Sequence, residues 1–210
     1  MDHASFIRQH TELLSPPLVP EVKLHLAHEA IPIWQKTEDE LGELGLPPPF
    51  WAFAWAGGQA LARYILDNPE FVKDKSVLDM ASGSGLVGIA AMLAGGKSVL
   101  AADIDEFSIA AIQLNAKVNS CTLATTSDDL LKNAAPHFDV ILVGDMFYEE
   151  TTAERCLAFL KTSKAQILIG DPSRSYLPKN QLEKIATYFV PVSRDLEDAE
   201  IKQTSVWKLA

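Results

Sequence analysis

The segment Ser76-Val77-Leu78-Asp79-Met80-Ala81-Ser82-Gly83-Ser84-Gly85-Leu86-Val87-Gly88 constrains the fold more than any other part of the chain. It reads as a short buried strand at 76–78, an acid at the strand's end, a turn of small residues, and an apolar run at 86–93 that opens a helix. Strand, turn and helix in that order aim backbone N–H groups and a helix N-terminus at a ligand, with no Cβ in the way at Gly83 and Gly85. Twenty residues after Gly83, the run 98–103 ends a second strand on Asp103. An acid at that spacing reaches the hydroxyls of a ribose lying across the first turn. A nucleoside cofactor is therefore expected here.

Gly83-x-Gly85-x-x-Gly88 also fits the dinucleotide fingerprint, which keeps a nicotinamide-dependent oxidoreductase open as an alternative. A pyrophosphate, however, would be repelled by Asp79, four residues before the first glycine. S-adenosylmethionine has no phosphate. It carries an α-ammonium that suits an acid beside the turn and a carboxylate that suits the turn's N–H groups. The pattern Asp79-x-Ala81-x-Gly83-x-Gly85 resembles the motif of seven-strand S-adenosylmethionine methyltransferases, with Ala81 where a glycine is usual. That replacement implies a backbone at position 81 that does not require glycine. The competing reading of Asp79 is a cap for the turn that follows it.

A formal net charge of −10 over 210 residues argues against a nucleic-acid or anionic-membrane partner and suits a cationic one. Cys121 and Cys156 show no paired spacing, as expected of structural thiols in a reducing compartment. No apolar run approaches the ~18 residues of a membrane span, and the acidic N-terminus lacks a signal or transit pattern. A cytoplasmic monomer is expected, with an N-terminal extension at 1–49 and a methyltransferase domain at 50–210.

In chain order, a helix is expected at 3–14 and another at 21–30, which would place Glu21, His25 and His28 on one face. No further ligand lies near in sequence, so no metal is expected. Thr37 and Glu40 form a capping-box pattern. Pro47-Pro48-Pro49 then leads into the aromatic run 50–55, mostly core in character. Trp55 stands just before Gly57-Gly58 and is expected to line the cofactor or acceptor pocket, with Gly57 letting backbone approach the ligand where the helix at 59–67 begins. Ile104, after Asp103, is placed to cover one face of adenine. Asp128, after the weak strand at 121–126, either accepts the adenine amino hydrogen or caps the turn at 129–133.

The apolar strand at 138–144 discharges onto Asp145, Met146, Phe147 and Tyr148. Packing alone requires no charge at that tip, which borders the same crevice as the first strand. Asp145, Tyr148 and Phe147 are therefore the catalytic candidates. Beyond them are expected a helix at 152–161, a strand at 166–170 ending on Asp171, a helix at 180–188, and strands at 189–194 and 204–209. Too little chain separates the last two for a helical crossover, so they should form an antiparallel hairpin. The expected fold is α/β: a seven-strand, mostly parallel Rossmann-like sheet finished by that hairpin, with helices on both faces.

Trp55-Ala56-Gly57-Gly58-Gln59, Leu66-Asp67-Asn68-Pro69, Asp103-Ile104-Asp105, Gly144-Asp145-Met146-Phe147-Tyr148, Ile169-Gly170-Asp171-Pro172 and Thr204-Ser205-Val206-Trp207 together resemble the electron-transfer-flavoprotein β-subunit lysine methyltransferases. These are protein-lysine methyltransferases marked by an Asp-x-x-Tyr motif. The likeness runs from about Pro49 to the C-terminus and is looser before it. It implies S-adenosylmethionine as cofactor, a lysine ε-amine of the flavoprotein β subunit as acceptor, and Asp145 as the group that receives the ammonium. Trp55, Phe147 and Tyr148 would then be its aromatic walls. The alternatives are a ribosomal protein or small amine as acceptor, and, from another class, the oxidoreductase or a non-catalytic binding module.

Overall fold

The computed structural model describes residues 2–27, 48–192 and 200–209. At its centre is a seven-stranded sheet in the order β5-β4-β3-β6-β7-β9-β8. Its strands are β3 (Ser76–Met80), β4 (Ser98–Ala102), β5 (Ala124–Thr126), β6 (Val140–Gly144), β7 (Gln166–Asp171), β8 (Leu182–Pro191) and β9 (Ile201–Leu209). The first five run parallel, and β9 lies antiparallel between β7 and β8. The helices are α2 (Ala56–Asp67), α3 (Leu86–Leu93), α4 (Glu106–Val118) and α5 (Glu150–Lys161), preceded by α1 (His3–His10).

The parallel strands are apolar on both faces because both are covered. On one side Val77, Val140, Leu142 and Leu168 meet Ala60, Leu61 and Ile65 of α2 and Val87 and Ala91 of α3. On the other, Leu78, Ile141, Val143 and Ile169 meet Cys156, Phe159 and Leu160 of α5. All the parallel strands therefore end at one edge, where Met80, Ala102 and Gly144 hand the chain to the segments that carry the acids.

Three expected helices give way to extended chain. The first helix stops at His10, and β1 (Glu12–Leu14) follows it, paired antiparallel with β2 (Leu24–Leu26) where a second helix was expected. Asparagine side chains decide the latter. Asn115 Oδ1 accepts the His25 N–H at 2.7 Å and Asn119 Oδ1 accepts the Lys23 N–H at 2.9 Å, so α4 offers β2 a substitute strand edge. The helical face expected to join Glu21 and His25 therefore does not form. The His25 ring lies 3.3 Å from the Thr11 hydroxyl, and His28 lies outside the described residues, as does the capping box at Thr37. The third case is β8, strand instead of helix over 182–188 and strand as expected over 189–191. Nine register pairs with β9 outweigh a helix-compatible Leu-Glu-Lys start, and Ile185, Thr187, Tyr188, Phe189 and Val190 suit a pleated surface.

The N-terminal segment packs onto the domain. Ile7 joins Trp51, Phe53 and Phe107, and Val19, Val22, Leu24 and Leu26 close over Ala62, Leu86, Ile89 and Ala90. Among the described residues no helix is long and apolar enough to cross a membrane.

Candidate active site

The turn after β3 is built by its own acid. Asp79 is 1% exposed, and its Oδ2 accepts the Ser82 hydroxyl at 2.5 Å and the Gly88 N–H at 2.8 Å. Burial raises its pKa to about 7 against those bonds, with the nearby Asp103 charge adding to the rise. The carboxylate thus does what the capping reading described. Gly88 is close-packed for the same reason: a Cβ there would stand 3.0 Å from Asp79 Oδ2.

Gly83 and Gly85 have φ of +53° and +84°, the left-handed region that favours glycine. Ala81, expected to lie outside that region, has φ +49° and shares it. The chain must reverse within a few residues between the tip of β3 and α3, and the small alanine tolerates the strain.

Asp103 closes the other side of the turn. Its Oδ2 accepts the Gly83 N–H at 2.8 Å and its Oδ1 the Asp105 N–H at 3.1 Å. Burial raises its pKa while these two N–H groups oppose the rise. Each oxygen retains a lone pair for a further donor. Beside it Ile104 is 73% exposed. A glycine cradle, a strand-tip carboxylate and an exposed apolar neighbour fit the ribose and adenine of a nucleoside. Asp128 is exposed and accepts the Thr126 hydroxyl at 2.9 Å; the cap of the 130–132 turn is its neighbour Asp129.

The tips of β6 and β7 lie side by side, Gly144 in register with Gly170, so Asp145 and Asp171 are neighbours. Asp145 has φ +53° and donates its N–H to the Gly170 carbonyl at 3.0 Å. Its Oδ2 accepts the N–H groups of Gly57 and Gly58 in the first turn of α2, a bond suited to the helix dipole. Oδ1 accepts Nε and Nη2 of Arg174 at 3.0 and 2.7 Å.

Gly57 therefore has a different part from the one expected. It lets α2 lie against β7 and gives its N–H to Asp145, leaving no open backbone there for a ligand. Phe147 is likewise corrected from wall to core. It is fully buried among Leu78, Val143 and Leu160, because the chain after Asp145 turns it under the sheet.

Tyr148 is 53% exposed, with its ring 6.0 Å from that of Phe50. Its pKa is raised by burial and by the charges of Asp103 and Glu149. Trp55 is half-buried, its indole N–H donated to the Phe50 carbonyl at 2.9 Å. The aromatic run thus spans from the glycine turn to the tip of β6. A recess of about 800 Å³ at the opposite end of the sheet, among Leu160, Lys161, Gln166 and Lys208, receives none of the acid-bearing tips.

Two site residues were missed in the sequence. Asp171 is fully buried at the tip of β7, and Arg174 follows three residues later. The signal for Asp171 was the one that found Asp145, an apolar strand running onto an acid.

The Ribosomal protein L11 methyltransferase (PrmA) family profile matches residues 60–144. Among relatives, the electron transfer flavoprotein beta subunit lysine methyltransferases of Mus musculus and Xenopus laevis are each 36% identical over 97% of this chain, covering 82% and 85% of their own lengths. The Homo sapiens protein of the same name is 35% identical over 97% of the chain and 80% of its own length. Among solved structures, magnesium protoporphyrin IX methyltransferase from Synechocystis PCC 6803 with bound SAM superposes with a TM-score of 0.54. That match has 13% identity and covers 73% of this chain and 78% of the other, a likeness of fold.

Proposed function

The chain belongs to the electron transfer flavoprotein beta subunit lysine methyltransferase family, and from that premise we propose that it moves methyl groups from S-adenosylmethionine to lysine ε-amines of that β subunit. The observation that carries the reading is the shared edge of the sheet. Asp103 with its glycine cradle stands on one side of β3, and Asp145 with Trp55 on the other.

When bound, S-adenosylmethionine supplies a methyl carbon made electrophilic by its sulfonium. The amine lone pair forms the new C–N bond as the C–S bond breaks, and the amine's extra proton passes to water. On this reading Asp103 accepts the ribose hydroxyls, Ile104 covers adenine, and Asp79 holds the turn rigid from within. Asp128, exposed near the tip of β5, is assigned to the adenine amino group.

A free lysine titrates near ~10.4 and arrives charged, without a lone pair. Asp145 orients that ammonium, while burial beside Trp55 and Tyr148 strips its water and favours the neutral amine. Most of the acceleration then comes from positioning. In the extension, α1 packs on the start of α4, just after Asp103, through Phe6 and Phe107, and we assign the extension a part in selecting the substrate. Cys121 and Cys156 are free thiols, consistent with a reducing, cytoplasmic setting.

The test is incubation of the purified protein with tritiated S-adenosylmethionine and purified electron transfer flavoprotein, with a cell lysate in parallel, followed by mass spectrometry. Methylated lysines on the β subunit are expected. Label confined to another protein, a ribosomal one included, would overturn the substrate, and no label on any lysine would overturn the reaction.

A further inference from the structure

Arg174 occupies the position that the proposed function gives to a lysine ammonium. Its guanidinium holds Oδ1 of Asp145 through Nε and Nη2, and its Cζ lies 6.0 Å from the centroid of the Trp55 ring. A carboxylate and an aromatic face are the two partners assigned to the acceptor. Because Oδ2 already carries the N–H groups of Gly57 and Gly58, an arriving ammonium and Arg174 compete for Oδ1.

The same loop carries a second carboxylate, Asp171, three residues before Arg174. Asp171 Oδ1 accepts the backbone N–H of Arg174 at 2.7 Å, while Asp171 Oδ2 is buried with no hydrogen-bond partner among the described residues. A buried carboxylate oxygen left unpartnered is costly, and a guanidinium turned onto it removes the cost. Burial, together with the charge of Asp145, raises the pKa of Asp171 to about 7, a sign that the two carboxylates feel each other at this tip.

We propose that Arg174 is a displaceable stand-in for the acceptor lysine, holding Asp145 until substrate arrives and then turning to Asp171. The inference rests on the lysine-acceptor reading of Asp145 and adds a specificity-determining residue to it. Arginine suits the part because a guanidinium stays protonated and has no lone pair to be methylated in place. Displacing it raises the threshold for any amine. A lysine delivered on a docked protein brings contact energy to meet that threshold, and a free amine does not.

The experiment compares wild type, Arg174→Gln, Asp171→Asn and the double variant, using the β subunit and free Nα-acetyl-lysine as acceptors. Arg174→Gln should lower KM for the protein acceptor about tenfold and give measurable methylation of Nα-acetyl-lysine. Asp171→Asn should raise KM, and in the double variant that rise should vanish. A gain on a free amine is not what loss of a merely structural ion pair gives. If Arg174→Gln instead raises KM or lowers kcat with no gain on the free amine, the stand-in role is refuted.

A second measurement does not depend on turnover. In ¹⁵N-labelled protein saturated with S-adenosylhomocysteine, the Arg174 Nε–H resonance should move on titration with the unlabelled β subunit, whose lysine amine displaces it, and far less in Asp171→Asn. A resonance that stays in place while the β subunit binds overturns this inference, whereas absence of methylation by wild type overturns the lysine-methyltransferase reading beneath it.

Discussion

The backbones of Gly57 and Gly170 press directly on one another. A Cβ on Gly57 would fall 2.8 Å from the Gly170 carbonyl carbon and 2.5 Å from Asp145 Oδ2, and one on Gly170 would fall 2.7 Å from the Leu61 Cβ. This contact brings the first turn of α2 down on the tips of β6 and β7, close enough for its N–H groups to meet Asp145. It turns a packing requirement into a site requirement. Gly57→Ala should therefore destabilise the fold by about 1–3 kcal/mol or more and reduce activity beyond the folded fraction lost. Gly58 has only a Val87 methyl at 3.9 Å, so Gly58→Ala should be neutral or stabilising by up to ~1 kcal/mol from helix propensity. Urea denaturation of the two variants side by side checks the contrast, and equal losses would count against it.

Asp145→Asn should reduce methyl transfer by about 10²-fold or more, because the amide presents one acceptor oxygen to partners that now use two. Cofactor affinity should change little, since Asp145 stands on the far side of β3 from Asp103. Calorimetric titration with S-adenosylhomocysteine, paired with a radiolabel assay, separates the two effects. Retained activity would remove Asp145 from the acceptor site.

Asp103→Ala is expected to act in the opposite way. It removes the acceptor for the Gly83 N–H and the carboxylate assigned to the ribose, so S-adenosylhomocysteine should bind about 10–100-fold more weakly. At saturating cofactor, kcat should be largely kept. An unchanged dissociation constant would take Asp103 out of the cofactor site.

The sequence made the central sheet legible because its strands are continuous apolar runs between turn signals, and the acids stand where those runs stop. Asp103 and Asp145 follow from that one regularity. What escaped it was decided by side chains distant in sequence. β2 is extended because Asn115 and Asn119 supply its hydrogen bonds, and Phe147 is core because the chain reverses after Asp145. Gly57 was read as a ligand contact because spacing cannot distinguish a glycine that admits a cofactor from one that admits a neighbouring strand. Arg174 was passed over because its meaning lies in a partner 29 residues away.

Ala81 offers a direct measure of strain. At φ +49° an L-residue costs roughly 1–2 kcal/mol relative to its ordinary conformations, and glycine does not. Part of that gain is returned as extra freedom in the unfolded chain. Ala81→Gly should therefore stabilise the protein by about 1 kcal/mol or less, read as a rise in the urea midpoint at unchanged slope. A clear fall would mean that the alanine methyl makes a contact outweighing the strain.

The two buried acids set an unusual dependence on pH. Asp79 and Asp171 both rise from 3.8 to about 7 on folding, chiefly through burial. Between those values the native state holds protons that the unfolded chain has released, so stability falls as pH rises through that window and levels off above about 7. Carboxylates whose pKa is lowered in the fold, such as Glu149 at about 2 and Asp129 through Arg155, act below the usual carboxylate range and do not mask the effect. The urea midpoint should thus be higher at pH 5 than at pH 8. Asp79→Asn keeps an acceptor oxygen for Ser82 and Gly88 but no longer titrates, so the difference should shrink in that variant, and again when Asp171→Asn is added. His25, whose pKa burial lowers from 6.5, contributes in the opposite sense, so a midpoint that climbs from pH 5 to pH 8 and is unmoved by Asp79→Asn and Asp171→Asn would mean that both carboxylates are ionised throughout. Arg174 would then already be shared with Asp171 in the resting enzyme.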